Sequence, residues 1–474
     1  MTNDIYARAL MGSTLAIHII FAVIGMGLPL FISVAELIGI RRNDRDLQLM
    51  ARRWTKALLI LFAVGSVTGT AVAFELTLLW PNFMQIAGQV IALPFAIEGF
   101  AFFIEAIFLG LYVYAWDRFS NRMLHWLCSL PIVAASAASG MLITTVNAFM
   151  NSPAGFRLDA GQVKDVQPLQ AMLNPMATSE VLHVLVTAYL CVAFLLAGLA
   201  AYQLLRGRTI AYFKKMLTMG VVAGFVIALL AIATGDMSAR DIARYQPAKL
   251  AAAEALFDTQ ANAPLTIGGI VDPKTHQVVG AIQIPGLLSW LAYGDVNQPV
   301  QGLNAFAPDQ RPALAIHYAF DAMVGTGFYL FGIGLLFMLA LAFRRRLLTN
   351  KLLLLGVLGG SVLSFLAMEL GWMVTELGRQ PWILYHIMTV QQALTSSQAV
   401  AFLFYGLLSF FIVVSIATVY ILVSHFRAHP LPMLAVNKGP GPQDGGDDTS
   451  GPEDPPEQDE REERASEKEM AIYG

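Results

Sequence analysis

The sequence predicts an all-α polytopic membrane protein with about nine transmembrane helices, N-terminus outside and C-terminus cytoplasmic. Three observations lead there: an apolar composition, a series of apolar runs of spanning length, and basic residues confined to alternate loops. Of 474 residues, 56% are hydrophobic and 13% charged, with mean hydropathy +0.60. A soluble domain carries about 25% charged residues. This composition argues against water-soluble globules, collagen, a disulfide scaffold and a wholly disordered chain. The only cysteines, Cys128 and Cys191, lie in apolar runs. Without CxxC or CxxCH, covalent c-type haem, a cysteine-ligated cluster and a zinc ribbon are disfavoured.

A spanning helix needs about 20 apolar residues. Such runs occur at 14–39, 57–80, 94–116, 125–148, 181–204, 216–234, 314–343, 352–376 and 397–424. The first has no small-residue cleavage site and reads as a retained helix. Arg41, Arg42, Arg45, Arg52, Arg53 and Lys56 follow the first run. Arg118 and Arg122 follow the third, Arg206, Arg208, Lys214 and Lys215 the fifth, and Arg344, Arg345, Arg346 and Lys351 the seventh. Nine crossings put all of these on one side, which the positive-inside rule makes cytoplasmic. The expected organisation is helices one to six over 1–234, an external loop over 235–313, helices seven to nine over 314–424, and a cytoplasmic tail over 425–474. Within that tail, residues 439–474 hold twelve acidic and three basic residues, a net of −9, leaving +6 on the rest of the chain. Its Pro, Gly and charge content predicts disorder.

An ionisable group at membrane depth is costly and therefore a functional candidate. His18 sits within the first run and His183 opens the fifth. Glu98 and Glu105 lie in the third, Glu75 and Glu369 in the second and eighth, and Glu376 ends the eighth. A lone membrane histidine also serves as a helix–helix hydrogen-bond partner, and a methionine such as Met323 is ordinarily packing. Glu98 and Glu105 are seven apart, nearly two turns, so both project from one face. Buried carboxyls on one apolar helix suit proton transfer; the bland reading is a structural polar seam. Arg379 near Glu376 reads blandly as an interfacial cation beside an aromatic anchor. Neutral imidazole and thioether are low-spin haem ligands, whereas a single His or carboxylate leaves a sixth site open for oxygen.

The run GWMVTELGRQPW, Gly371 to Trp382, resembles a fingerprint of subunit I of the cytochrome bd-type quinol oxidases, cyanide-insensitive relatives included. PFAIEGFAFFIE at 94–105, AWDR at 115–118 and KLAAAEALFDT at 249–259 resemble further elements of that family, and the likeness runs from Arg8 to about Val423. The acidic tail lies outside it. The resemblance implies that His183 and Met323 are the axial ligands of a low-spin haem b. His18 and Glu376 match the ligands of two high-spin haems, one b-type and the other d- or b-type, with no individual assignment. Glu98 and Glu105 match carboxylates near the high-spin haems, active in oxygen chemistry and proton delivery. Lys249 and Glu254 match loop residues of quinol oxidation, and Arg379 matches the fingerprint arginine, a candidate partner for a haem propionate. Trp372 is either an aromatic electron bridge or a packed interfacial ring. One departure is Asp321, two residues before Met323, where some members carry arginine.

The expected function is a quinol:oxygen oxidoreductase of the bacterial cytoplasmic (inner) membrane. Quinol is oxidised at the outer face, and oxygen is reduced to water with cytoplasmic protons. The implied partners are membrane lipid, quinol, oxygen, a second subunit of the bd type, and a possible small single-helix subunit. No nucleic acid is expected, because the basic residues form no stripe, and no copper, because too few imidazoles lie in the spans. The rivals are a proton- or ion-coupled transporter using the intramembrane carboxylates, weakened by the lack of an evident internal repeat, and a haem-containing assembly or sensory protein without turnover.

Overall fold

The computed structural model describes residues 3–431 apart from 160, 273, 274 and 398; the acidic tail lies outside the described residues. Long helices open the chain: α1 (Asn3–Arg41), α2 (Arg45–Leu79) and α3 (Pro81–Tyr114). The fourth expected run is divided into α4 (Arg122–Leu127) and α5 (Ser129–Asn151). A short hairpin, β1 (Arg157–Asp159) with β2 (Gln162–Lys164), and α6 (Pro168–Met172) lead to α7 (Ala177–Leu205) and α8 (Ala211–Tyr245). The largest loop then folds as α9 (Pro247–Ala253), strands β3 (Leu265–Ile267), β4 (Ile270–Asp272), β5 (Gln277–Val279) and β6 (Ile282–Ile284), and α10 (Leu287–Tyr293). In this loop β3 pairs with β6 and β4 with β5, both antiparallel. Then come α11 (Ala315–Phe343), α12 (Lys351–Gly378), β7 (Trp382–Leu384) paired with β8 (Met388–Thr389), α13 (Val390–Ala393) and α14 (Val400–Ala428). Among the described residues, nine helical segments are long and apolar enough to cross a membrane, with α4 and α5 counted together.

The helices outrun the apolar runs, because hydropathy marks only the lipid-matched part of each. α1 starts at Asn3, not near 14, since Ala7 and Leu10 are buried in a cluster with Leu79, Trp80 and Phe83. The Asp44 carboxylate caps α2 by accepting from the Asp46 and Leu47 amides, so that helix begins well before 57. Pro81 stands in the first turn of α3, where its missing N–H costs nothing. α8 runs to Tyr245, past the boundary expected at 234.

The buried heart is α7, packed against α8, α12, α1 and α5. Its face Ala193, Ala197, Ala200 and Ala201 is fully buried. Small residues let the backbones approach: a Cβ on Gly220 would stand 2.8 Å from the Ala193 carbonyl, and one on Gly224 2.9 Å from the Phe194 ring. Such small-residue seams drive helix association where lipid offers no hydrophobic gain. At the other extreme, α14 leaves Phe402, Ile416, Val419 and Tyr420 exposed on its outer face.

Candidate haem-ligand and quinol-side site

Two histidines are presented in the same way. His18 on α1 makes an Nδ1···Oγ1 bond of 2.9 Å with Thr68 on α2. The Thr68 hydroxyl donates its own proton to the Val64 carbonyl at 2.9 Å, so it accepts from His18 Nδ1–H. His183 on α7 repeats this with Thr234 on α8, at 3.1 Å, and Thr234 donates to the Leu230 carbonyl at 3.0 Å. Each ring therefore carries its proton on Nδ1 and keeps the Nε2 lone pair for a metal. A glycine follows each threonine and clears space for the ring. A Cβ on Gly69 would lie 3.1 Å from His18 Cε1, and one on Gly235 3.3 Å from His183 Cε1. Met323 on α11 has the same provision, since a Cβ on Gly371 of α12 would stand 3.1 Å from its sulfur. These donors fit iron held in a porphyrin, which asks the protein for only one or two axial atoms. Among the described residues, no three His, Cys, Asp or Glu side chains gather to hold a bare ion.

Glu376, in the last turn of α12, accepts from Asn147 Nδ2 through one carboxylate oxygen and from Arg379 Nη2 at 2.6 Å through the other. A carboxylate has about four lone-pair sites, so capacity for an iron remains. The centre of this region is Asn151, an uncharged residue that matches no ligand pattern in the sequence. Its Oδ1 accepts from Lys249 Nζ at 3.1 Å, Gln246 Nε2 at 3.0 Å and Arg379 Nη1 at 3.3 Å. Its Nδ2 donates to Glu180 Oε1 at 3.0 Å and to Asn147 Oδ1 at 3.1 Å. One acid, Glu180, and two bases, Lys249 and Arg379, thus meet on one uncharged amide.

Lys249 and Glu254 lie in the large loop, as expected, but the loop is not solvated there. Both are 2% exposed. Lys249 Nζ also donates to the Thr375 carbonyl at 3.1 Å, and its stem lies on α12, where a Cβ on Gly378 would meet Lys249 Cγ at 2.7 Å. α9 tucks under the end of α12 because Gly378 leaves room, so Lys249 lies against a span. Burial pulls the Lys249 ammonium down to about 7, against the pull of the Glu180 carboxylate. Glu254 has different partners. It accepts the Thr266 amide at 3.3 Å, and burial raises its carboxyl to about 8. With separate partners, the two form no salt bridge with each other.

Asp321, the departure noted above, accepts the Gly268 amide at 2.6 Å and lies 3.6 Å from His317 Nε2. His317 in turn bonds the Ala253 carbonyl through Nδ1 at 2.8 Å. The pair pins α9 and the β3–β4 turn to α11.

Glu98 accepts from Ser139 on α5 at 2.8 Å. Ser139 is eight residues, about 12 Å of helix axis, from Asn147 and its bond to Glu376. Glu105 is buried on the same face of α3. Trp372 packs in an apolar cluster with Val23 and Met26 of α1 and Ala188 and Cys191 of α7, between the helices that carry His18 and His183. Glu75 lies in the seam of α1 and α2, one hydroxyl away from α1: Thr14 donates to it at 2.6 Å, and its second oxygen finds no partner among the described residues.

The cytochrome bd terminal oxidase subunit I family matches residues 6–430. A putative cytochrome bd menaquinol oxidase subunit I of Bacillus subtilis (strain 168) is 40% identical over 438 residues, 91% of this chain and 98% of that protein. A cytochrome bd ubiquinol oxidase subunit 1 of the same organism is 30% identical over 423 residues, 86% and 90% of the two. The solved structure of bd oxidase from Geobacillus thermodenitrificans is similar with a TM-score of 0.87 and 43% identity, covering 90% of this chain and 99% of that one. With the match spanning nearly all the described residues, this chain belongs to the cytochrome bd terminal oxidase subunit I family.

Proposed function

We propose that this chain takes electrons from a quinol beside Lys249 and Glu254 and passes them to haems held by His183, Met323, His18 and Glu376. Family membership makes it a subunit of a terminal respiratory oxidase and a multi-pass protein of the bacterial cytoplasmic membrane. The observation that carries the proposal is the repeated threonine–histidine–glycine arrangement, which directs each imidazole proton to Nδ1 and leaves the Nε2 lone pair for iron. The transporter alternative draws no support from the relatives above, and a haem protein without turnover does not fit oxidase kinship.

His183 and Met323 would hold a low-spin haem b, and His18 and Glu376 would hold two high-spin haems, one b-type and one d- or b-type. When bound, haem supplies one-electron transfer and oxygen reduction. The chain supplies the rest. Glu254 takes a quinol proton, Lys249 orients the quinol oxygen, and Arg379 fixes Glu376 through its 2.6 Å bond. Glu98 and Glu105 hold and release the protons consumed with oxygen. Trp372 fills the space between the ligand-bearing helices, as a bridge for electrons. Basic loops put the α1–α2 turn in the cytoplasm, so the Asn151 region faces outward. The relatives' names number them as first subunits, and a second subunit, with or without a small single-helix one, completes the enzyme against its exposed apolar faces.

The test is the reduced-minus-oxidised spectrum with quinol-driven oxygen uptake. His183→Ala and Met323→Leu should each lose the low-spin signal and all quinol oxidation. His18→Ala and Glu376→Ala should disturb high-spin haem and leave the low-spin signal. A low-spin spectrum that survives both of the first two changes defeats the assignment.

A further inference from the structure

The geometry points to His125, Glu36 and Tyr112 as a buried proton-loading station that feeds Glu105 and Glu98 from the end of the bundle bearing the basic loops. This inference rests on the reading of Glu98 and Glu105 as proton donors to the oxygen chemistry.

The three side chains come from α4, α1 and α3 and are 0%, 2% and 1% exposed. His125 Nδ1 lies 2.5 Å from Glu36 Oε1, and the Tyr112 hydroxyl donates to Glu36 Oε2 at 2.6 Å. His125 Nε2 lies 2.9 Å from the Tyr112 backbone carbonyl. A carbonyl only accepts, so Nε2 carries a proton. Nδ1 and Oε1 then share a second proton, either as imidazolium with carboxylate or as imidazole with carboxylic acid. Both arrangements have the same total charge, which is why the pair tolerates a dry interior. Among nearby ionisable groups, Cys128 follows α4, and Arg52 of α2 lies 5.8 Å from the Trp116 ring that packs on His125.

This cluster is in register with the two proposed proton carriers. Tyr112, Glu105 and Glu98 recur every seven residues on α3, a rise of about 10 Å each, and so share one face. α5 packs along α3 in the opposite direction. It presents Ser129 and Ser136, also seven apart and buried, and then Ser139 on Glu98. Ser129 donates to Ser33 of α1 at 2.8 Å, one turn from Glu36. A cavity of about 10 Å³, lined by Tyr112, Ser129, Ile132, Pro29, Ile32 and Leu58, lies beside the tyrosine; it is at the lower limit of size for one water, with Tyr112 and Ser129 its polar residues. His125 itself lies three residues beyond the exposed Arg122.

The transfer balances without any further reagent. A proton arriving from solvent converts the pair to imidazolium and carboxylic acid. The Glu36 acid then donates to the Tyr112 oxygen while the Tyr112 O–H turns and releases its proton to water in the cavity, toward Glu105. Tyr112 ends neutral, and the pair returns to holding its single shared proton.

A purely structural lock between α4 and α1 would shift melting but not proton kinetics. Glu36→Gln keeps the hydrogen-bonding shape and removes the exchangeable acid; Tyr112→Phe removes only the hydroxyl. In the assembled oxidase, each should keep full haem content and wild-type reduction of the low-spin haem by quinol. Oxygen turnover should fall at least ~10-fold, with a larger solvent deuterium isotope effect. Wild-type turnover and isotope effect in Glu36→Gln overturn the station. If that variant fails to assemble, Tyr112→Phe decides in the same way. Glu105→Gln, measured alongside, separates the two levels. Slow Glu105→Gln with normal Glu36→Gln and Tyr112→Phe removes the station alone, whereas normal Glu105→Gln removes the reading beneath it and the station together.

Discussion

A threonine hydroxyl on the adjoining helix sets the tautomer of each of the two histidines proposed as haem ligands. Removing it should matter more for the metal than for the fold. Thr234→Val keeps the volume and deletes the acceptor of His183 Nδ1–H, so haem affinity at that position should fall roughly 10–100-fold. Under haem-limited expression the low-spin absorption per protein should drop, and Thr234→Ser should restore it. Unchanged occupancy in Thr234→Val would show that the ring is oriented by other means. The histidines stand out as candidates in the sequence, because an imidazole in an apolar run is rare; Glu376 lies in the GWMVTELGRQPW run, and Met323 is a candidate through the family resemblance alone. The threonines do not stand out: Thr68 and Thr234 each lie about fifty residues from their histidine, and the bond exists only once two helices dock. Asn151 carries no charge and matches no ligand pattern, so its five hydrogen bonds had no sequence signal. Lys249 was placed in the right loop, but its burial depends on Gly378, a contact across more than a hundred residues.

Between helices, the contact of α7 with α8 is set by what is missing from Gly220. A methyl there would press on the Ala193 carbonyl at 2.8 Å and the Ala197 amide at 2.9 Å, both backbone atoms that cannot step aside. Gly220→Ala should therefore part the two helices at a cost of about 1–3 kcal/mol. Because α7 carries His183 and α8 carries Thr234, the same strain should loosen the imidazole. The expected result is earlier thermal unfolding of the detergent-purified oxidase, with low-spin haem lost before high-spin haem. Unfolding at the wild-type temperature would show that the seam has slack. Spans of this kind are easy to locate, since twenty apolar residues in a row have no soluble explanation. Their ends are harder, because Ala7 and Leu10 extend α1 through packing and not through hydropathy. The paired strands of the loops went unforeseen for a related reason: strands of two or three residues offer no alternation to read.

At the scale of the whole molecule, α5 joins two polar clusters. His125 and Ser129 mark one end, and Asn147 and Asn151 the other, with Asn151 lying 22 positions beyond Ser129. That is about 33 Å of helix, close to the ~30 Å hydrocarbon thickness of a bilayer. If quinol is oxidised at one cluster and protons enter at the other, as proposed above, electrons and protons each cross part of the insulating slab. The ligand helices between the clusters are consequently a capacitor as well as a scaffold. A unit charge moved through 100 mV costs about 2.3 kcal/mol, and the enzyme works against whatever voltage it has already built. Quinol-driven oxygen uptake in sealed proteoliposomes should slow as the membrane charges and speed up when an ionophore discharges it, while leaky vesicles should not respond. A tight vesicle whose rate ignores the ionophore would mean that electrons and protons arrive from the same face.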